Sequence, residues 1–128
     1  LKTFLAQLKA LHEQKLEYDR RVVGKALEDR LAEAIGIYIS SELLKGAKLN
    51  LKLINAKRTI RRLLSTKRVE FLKPSDKRKL AKALLSDLIR ELKGQVPPNE
   101  LAKLADKLVE EFLSPEIERV IKSDKAKN

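Results

Sequence analysis

The chain has no cysteine, no methionine, no tryptophan and a single histidine among its 128 residues. Without thiols it can build neither a disulfide framework nor a thiolate metal site, and nothing argues for an oxidising compartment. His12 has no second imidazole to complete a zinc site of the His and Cys kind. Aromatics are scarce as well, with two Tyr and three Phe to serve for stacking on bases. The four glycines, at 24, 36, 46 and 94, are isolated, so there is no glycine-rich phosphate loop. No apolar run approaches the roughly eighteen residues that a membrane span needs. The opening Leu1-Lys2-Thr3-Phe4-Leu5 is too broken by charge for a signal peptide, and the missing initiator Met suggests a trimmed piece. The expectation is an intracellular protein, cytoplasmic or nucleoid-associated, with no membrane contact, no metal and no cofactor.

Charge is what the chain has in abundance. Charged residues make up 37% of it, above the roughly 25% of ordinary soluble proteins. Together with abundant Lys, Glu, Leu and Ile, this resembles the profile of proteins from hot environments. Residues 45–82 hold fourteen Lys and Arg against only Glu70 and Asp76, whereas the remainder holds fifteen basic and sixteen acidic residues. The whole excess of +11 therefore sits in one block. Charge runs on helices are most often solvated faces, but the near balance elsewhere argues against general solubilisation. Unpaired like charges three and four residues apart repel by a few tenths of a kcal/mol per pair. A polyanion or an acidic protein is the partner such a block fits.

Apolar residues recur at helical spacing throughout, which predicts an all-α chain: a five- or six-helix bundle with mostly antiparallel neighbours. Phe4, Leu5, Leu8 and Leu11 mark a first helix, able to dock on another chain. Val22 to Ile39 mark a second, either separate from the first or continuous with it through Gly24. Gly36, inside the second stripe, suggests a close helix–helix contact, and Gly46 a C-terminal cap. A third helix is expected over about 49–72 with Phe71 on its buried side, stopped by Pro74. A fourth, capped by Ser75 or Asp76, runs to Gly94, and a fifth opens after Pro97-Pro98. Ser114-Pro115-Glu116 predicts the start of a sixth, with an apolar edge at Ile117, Val120 and Ile121 that closes the bundle. The domain expectation is one helical unit over 1–122, with a sub-boundary at 95–99 and a polar tail over 123–128.

On the third and fourth helices the candidate nucleic-acid-binding residues are Lys52, Lys57, Arg58, Arg61, Arg62, Lys67, Arg68, Lys77, Arg78 and Lys82. The seven from Lys52 to Arg68 lie along a rod of about 35 Å, at about 1.5 Å per residue, which matches the spacing of phosphates, and the next helix begins with Lys77, Arg78, Lys79 and Lys82 close to its far end. The arginine fork can hold two phosphate oxygens at once. With Phe71 expected inside, base stacking has no support, and backbone-directed, sequence-tolerant binding follows. Catalysis has little to stand on. Glu28-Asp29 and Glu110-Glu111 are adjacent pairs that diverge on a helix, and Glu13 and Glu17, which share a face, have Lys9 and Arg20 or Arg21 to neutralise them. The expectation is that the protein is not an enzyme.

The stretch from Asn55 through Leu72, followed by Lys73-Pro74-Ser75-Asp76 and another amphipathic helix, resembles the helical domain of archaeal GINS-type DNA replication factors. The chain has Lys77 and Arg78 where that family's turn is followed by acids, and it lacks the family's small β-domain. The resemblance implies assembly with sister subunits, with Arg58, Arg61, Arg62 and Arg68 at a subunit contact or facing DNA. The functional expectation is an accessory subunit of a DNA replication or repair assembly that contacts nucleic acid, DNA before RNA, and protein partners. The alternatives are an adaptor for an acidic partner and a helical small subunit of an RNA-guided effector complex.

Overall fold

A computed structural model of the chain describes the backbone of residues 2–127 and the side chains of residues 3–119 and 122. Among the described residues every regular element is helical and there is no strand. The helices join into four continuous rods, not five or six. They are α1 (residues 2–43), α2 (Ile54–Thr66), α3 (Pro74–Leu92) and α4 (residues 98–127). A 3₁₀ turn, Val69–Phe71, links α2 to α3.

Two junctions account for the lower number. In α1 the α-helical Lys2–Tyr18 passes through a π-helical turn, Asp19–Val23, straight into Gly24–Tyr38, and a second π turn, Ile39–Leu43, closes the rod. Gly24 has ordinary helical angles, and its missing side chain serves packing: a Cβ there would stand 3.2 Å from Leu64 Cδ1. The close approach is thus at Gly24 and not at Gly36, where a Cβ would meet nothing within 4 Å. In α4 the expected helix start at Ser114-Pro115 is a continuation. Proline lacks an N–H and its ring crowds the carbonyl four residues back. The π turn Leu108–Leu113 takes up that mismatch, and the Ser114 hydroxyl donates to the Val109 carbonyl at 3.1 Å. The rod continues to Lys127, through the segment expected to be a polar tail.

α2 is shorter than the apolar pattern suggests. Residues 49–53 form a non-helical lead-in that ends at Leu53, a buried residue held in the left-handed region at φ 50°. Carboxylates of α3 hold it there. Glu91 Oε1 accepts the Lys52 and Leu53 N–H groups at 2.7 and 3.4 Å. Asp87 accepts those of Asn55 and Ala56 at 3.1 and 2.7 Å. α3 therefore supplies the N-terminal acceptors that α2's own sequence lacks. At the other end the extended Lys67 stops the helix. Phe71, expected to be buried on that helix, stands exposed on the 3₁₀ turn. α3 starts earlier than expected: Lys73, not Ser75 or Asp76, stands at the N-cap and Pro74 at the first position, while Asp76, at the third, accepts the Lys73 N–H at 2.9 Å and donates its own N–H to the Lys73 carbonyl at 3.0 Å.

One buried apolar cluster takes in all four rods. Leu27, Leu31, Ile35 and Ile39 of α1 meet Ala56, Ile60 and Leu64 of α2, Leu80, Leu84 and Leu88 of α3, and Leu101, Leu104 and Leu113 of α4. Val96, between α3 and α4, belongs to the same cluster, as does Ile117, while the side chains of Val120 and Ile121 lie outside the described residues. Burial of each large aliphatic side chain contributes roughly 1.5–3 kcal/mol. An Arg30–Glu116 pair at 3.2 Å and the Lys107 ammonium, 5.3 Å from the Tyr38 ring centre, tie α1 to α4. The beginning of α1 takes no part in the core: residues 3–15 are all exposed. No described helix is long and apolar enough to cross a membrane.

Candidate nucleic-acid interface

Three of the ten candidate cations are drawn into ion pairs with buried carboxylates. Arg68 lays its fork on Asp19, with Nε and Nη2 each 3.1 Å from a carboxylate oxygen, and the Val69 N–H reaches the same Asp19 at 3.0 Å. Arg61 donates to Glu28 at 2.9 and 3.4 Å, and Lys67 to Asp76 at 3.0 Å. Asp19, Glu28 and Asp76 are all buried, and a buried carboxylate stripped of its partner costs several kcal/mol. Arg68 and Lys67 therefore hold the fold, and both lie beyond the end of α2. Arg61 differs, because its side chain stays 61% exposed while Arg68's is only 14% exposed. The Lys73 backbone N–H and the Lys67 ammonium hold the Asp76 carboxyl below the ordinary aspartate value.

The other seven are spread over several surfaces. Lys52 is exposed on the lead-in ahead of α2, and Lys57 is half-buried. Arg58 and Arg62, four apart and exposed, share a face of α2. Lys77 and Arg78 line a groove of about 420 Å³ against α4, where Asp106 and Glu110 face them. Lys82 is exposed on α3, and so is Lys79 three residues before it. The positive charge of the block is thus divided between the outer face of α2, the outer face of α3 and a mixed-charge groove.

The larger basic gathering lies where α1 crosses α2, and sequence reasoning missed half of it. An open cleft of about 500 Å³ is lined by Arg20, Arg21, Lys25 and Arg61, with Glu17 and Glu28 at its walls. The π turn of α1 carries Arg20 and Arg21 side by side, and both contribute to the lining although consecutive residues on a regular α-helix diverge. Neither forms an ion pair among the described residues, so the expected neutralisation of Glu13 and Glu17 by these arginines does not occur. Lys25 pairs with Asp29 at 3.2 Å on the exposed surface. Arg58 and Arg62 flank Arg61 on α2 and carry the positive surface away from the cleft. The only hint in the sequence is the Arg20-Arg21 doublet beside a helix pattern, because the pairing of Glu28 with Arg61 spans 33 residues. No group of three or more His, Asp or Glu side chains converges as a metal site among the described residues.

Over 120 residues the chain is 35% identical to a protein of Methanocaldococcus jannaschii named "Putative type I restriction enzyme MjaVIIP endonuclease subunit". The match covers 91% of this chain and 11% of that protein, so the chain spans about a ninth of the relative's length. No protein-family model matches the chain, and no solved structure matches it. Two expectations are corrected by this likeness. The resemblance to GINS-type replication factors does not stand, since the matched protein belongs by name to a restriction system. Nor does the expectation that the protein is not an enzyme, since the matched protein is named an endonuclease subunit.

Proposed function

We propose that this chain is a helical DNA-contacting portion of a restriction-type endonuclease subunit, gripping the phosphate backbone at the crossing of α1 and α2. The observation that carries the reading is the gathering of Arg20, Arg21, Lys25 and Arg61 around one open cleft, with Arg58 and Arg62 beside it. Guanidinium forks match pairs of phosphate oxygens, and five of these six cations are arginines. Arg61 has a second role, because its fork already neutralises Glu28 and so keeps the buried carboxylate from repelling a phosphate nearby. The name of the related protein favours DNA over RNA and a multi-subunit setting, and nothing in it favours replication or repair.

Binding of this kind ignores base sequence, since phosphate contacts position a protein without reading bases. Fluorescence anisotropy on a labelled duplex of random sequence tests it. Arg20→Glu with Arg21→Glu, and separately Arg58→Glu with Arg62→Glu, should each weaken binding at least tenfold with helicity retained. Lys77→Glu with Arg78→Glu, in the mixed-charge groove, should weaken it much less. Unaltered duplex affinity in both arginine pairs would falsify the assignment. An absence of binding to any nucleic acid, with binding to an acidic peptide, would favour the adaptor reading instead.

A further inference from the structure

Residues 3–15, at the start of α1, take no part in the core or in the basic cleft, yet with Tyr18 and Val22 beyond them they carry a long exposed apolar stripe. Phe4, Leu8, Leu11, Tyr18 and Val22 are 60, 47, 52, 43 and 43% exposed. With Lys15 filling the one gap, their positions step along the helix by four, three, four, three and four residues. That 3.5-residue period is the seam of a coiled coil, and it persists past Asp19, where the opposite side of the rod is already packed against the bundle. A seam with this repeat fits another helix, not a flat or concave surface.

We infer that the seam is covered by the same seam of a second copy of this chain, running antiparallel. In the register that closes every layer, Phe4 lies opposite Val22 of the second copy, Leu8 opposite Tyr18, and Leu11 opposite Lys15. Each Lys15 stem then packs on a leucine while its ammonium escapes to water. A parallel pair would stack Lys15 on Lys15 and set two bodies of net charge +11 side by side. The antiparallel pair puts those bodies at opposite ends of a seam about 27 Å long, at about 1.5 Å per residue. Five half-exposed apolar side chains per copy, with Leu5 and the flanking stems, bury about 1,000 Å² in all, the lower edge of a specific interface. The dimer should accordingly depend on concentration.

Sedimentation equilibrium of the full chain between low and several-hundred-micromolar concentration tests this. The mass should rise from 14.6 kDa towards twice that value, and Leu8→Glu with Leu11→Glu should hold it at the monomer with helical content unchanged. Because the chain has no cysteine, direction can be read by cross-linking. Oxidising a mixture of Leu8→Cys and Tyr18→Cys chains should give the mixed disulfide in excess over both symmetric ones. A monomer at all concentrations would mean that a different helix covers the seam, and dominant symmetric disulfides would mean a parallel pair. Either result overturns the proposal, and neither bears on duplex binding by the basic cleft.

Discussion

Asp19 sits in the middle of α1, buried, and accepts three hydrogen bonds from Arg68 and Val69. One carboxylate thus fastens the first rod to the segment that follows α2. Asp19→Ala should destabilise the chain by about 3–5 kcal/mol, the usual cost of removing one partner of a buried ion pair, read as a shift of the urea midpoint. Asp76 makes a different prediction because its carboxylate titrates. Its folded-state pKa lies below the ordinary value of 3.8, through the Lys73 N–H first and the Lys67 ammonium second. The stabilisation is therefore complete above about 3.8 and disappears as the pH falls through the lower, folded value. Thermal melts should lose stability below about pH 4, and Asp76→Asn should flatten that part of the profile while lowering the melting temperature at neutral pH.

At the scale of elements, α2 depends on its neighbour for its start. Asp87 takes two of its N-terminal N–H groups, so Asp87→Ala should cost about 1–3 kcal/mol for the lost acceptors. Amide exchange should accelerate at Asn55 and Ala56 well before it does at Leu64. The helices themselves were legible from the apolar spacing, and so were the ends at Gly46 and Gly94, both at φ near +80°. The joins were not, because a π turn shifts the apolar phase by only about one residue and such a slip reads equally as a break between two helices, and Pro115 after Ser114 has the same local chemistry whether a helix begins or continues. The bounds of α2 were missed for a similar reason. Leu49, Leu51 and Leu53 prolong the apolar pattern, but the carboxylates that pull the lead-in out of helical form come from α3. The basic block was legible as a charge excess. Which of its members are free was not, since the acids that claim Arg61 and Arg68 lie 33 and 49 residues away.

For the whole molecule, the distribution of paired and unpaired cations sets how DNA binding should respond to salt. Each neutralised phosphate on duplex DNA contributes about −0.9 to the log–log slope. The cleft and the α2 face offer Arg20, Arg21, Lys25, Arg58, Arg61 and Arg62, with Lys25 and Arg61 already sharing their charge with acids. A slope of roughly −3.5 to −5.5 is expected for the intact chain, from about four to six contacts at about 0.9 each. Replacing Arg20, Arg21, Arg58 and Arg62 together by Ala should make it shallower by about 3 to 4, one phosphate for each arginine. Replacing Lys77 and Arg78 should change it by less than 1, because Asp106 and Glu110 across the groove already hold counter-charge there. The two substitutions alter net charge by four and by two, so a uniform field would shift the slopes in the ratio of those charges. A shift concentrated in the four arginines means that the surface where α1 crosses α2 touches DNA, whereas a proportional shift means that only the total charge of the molecule matters.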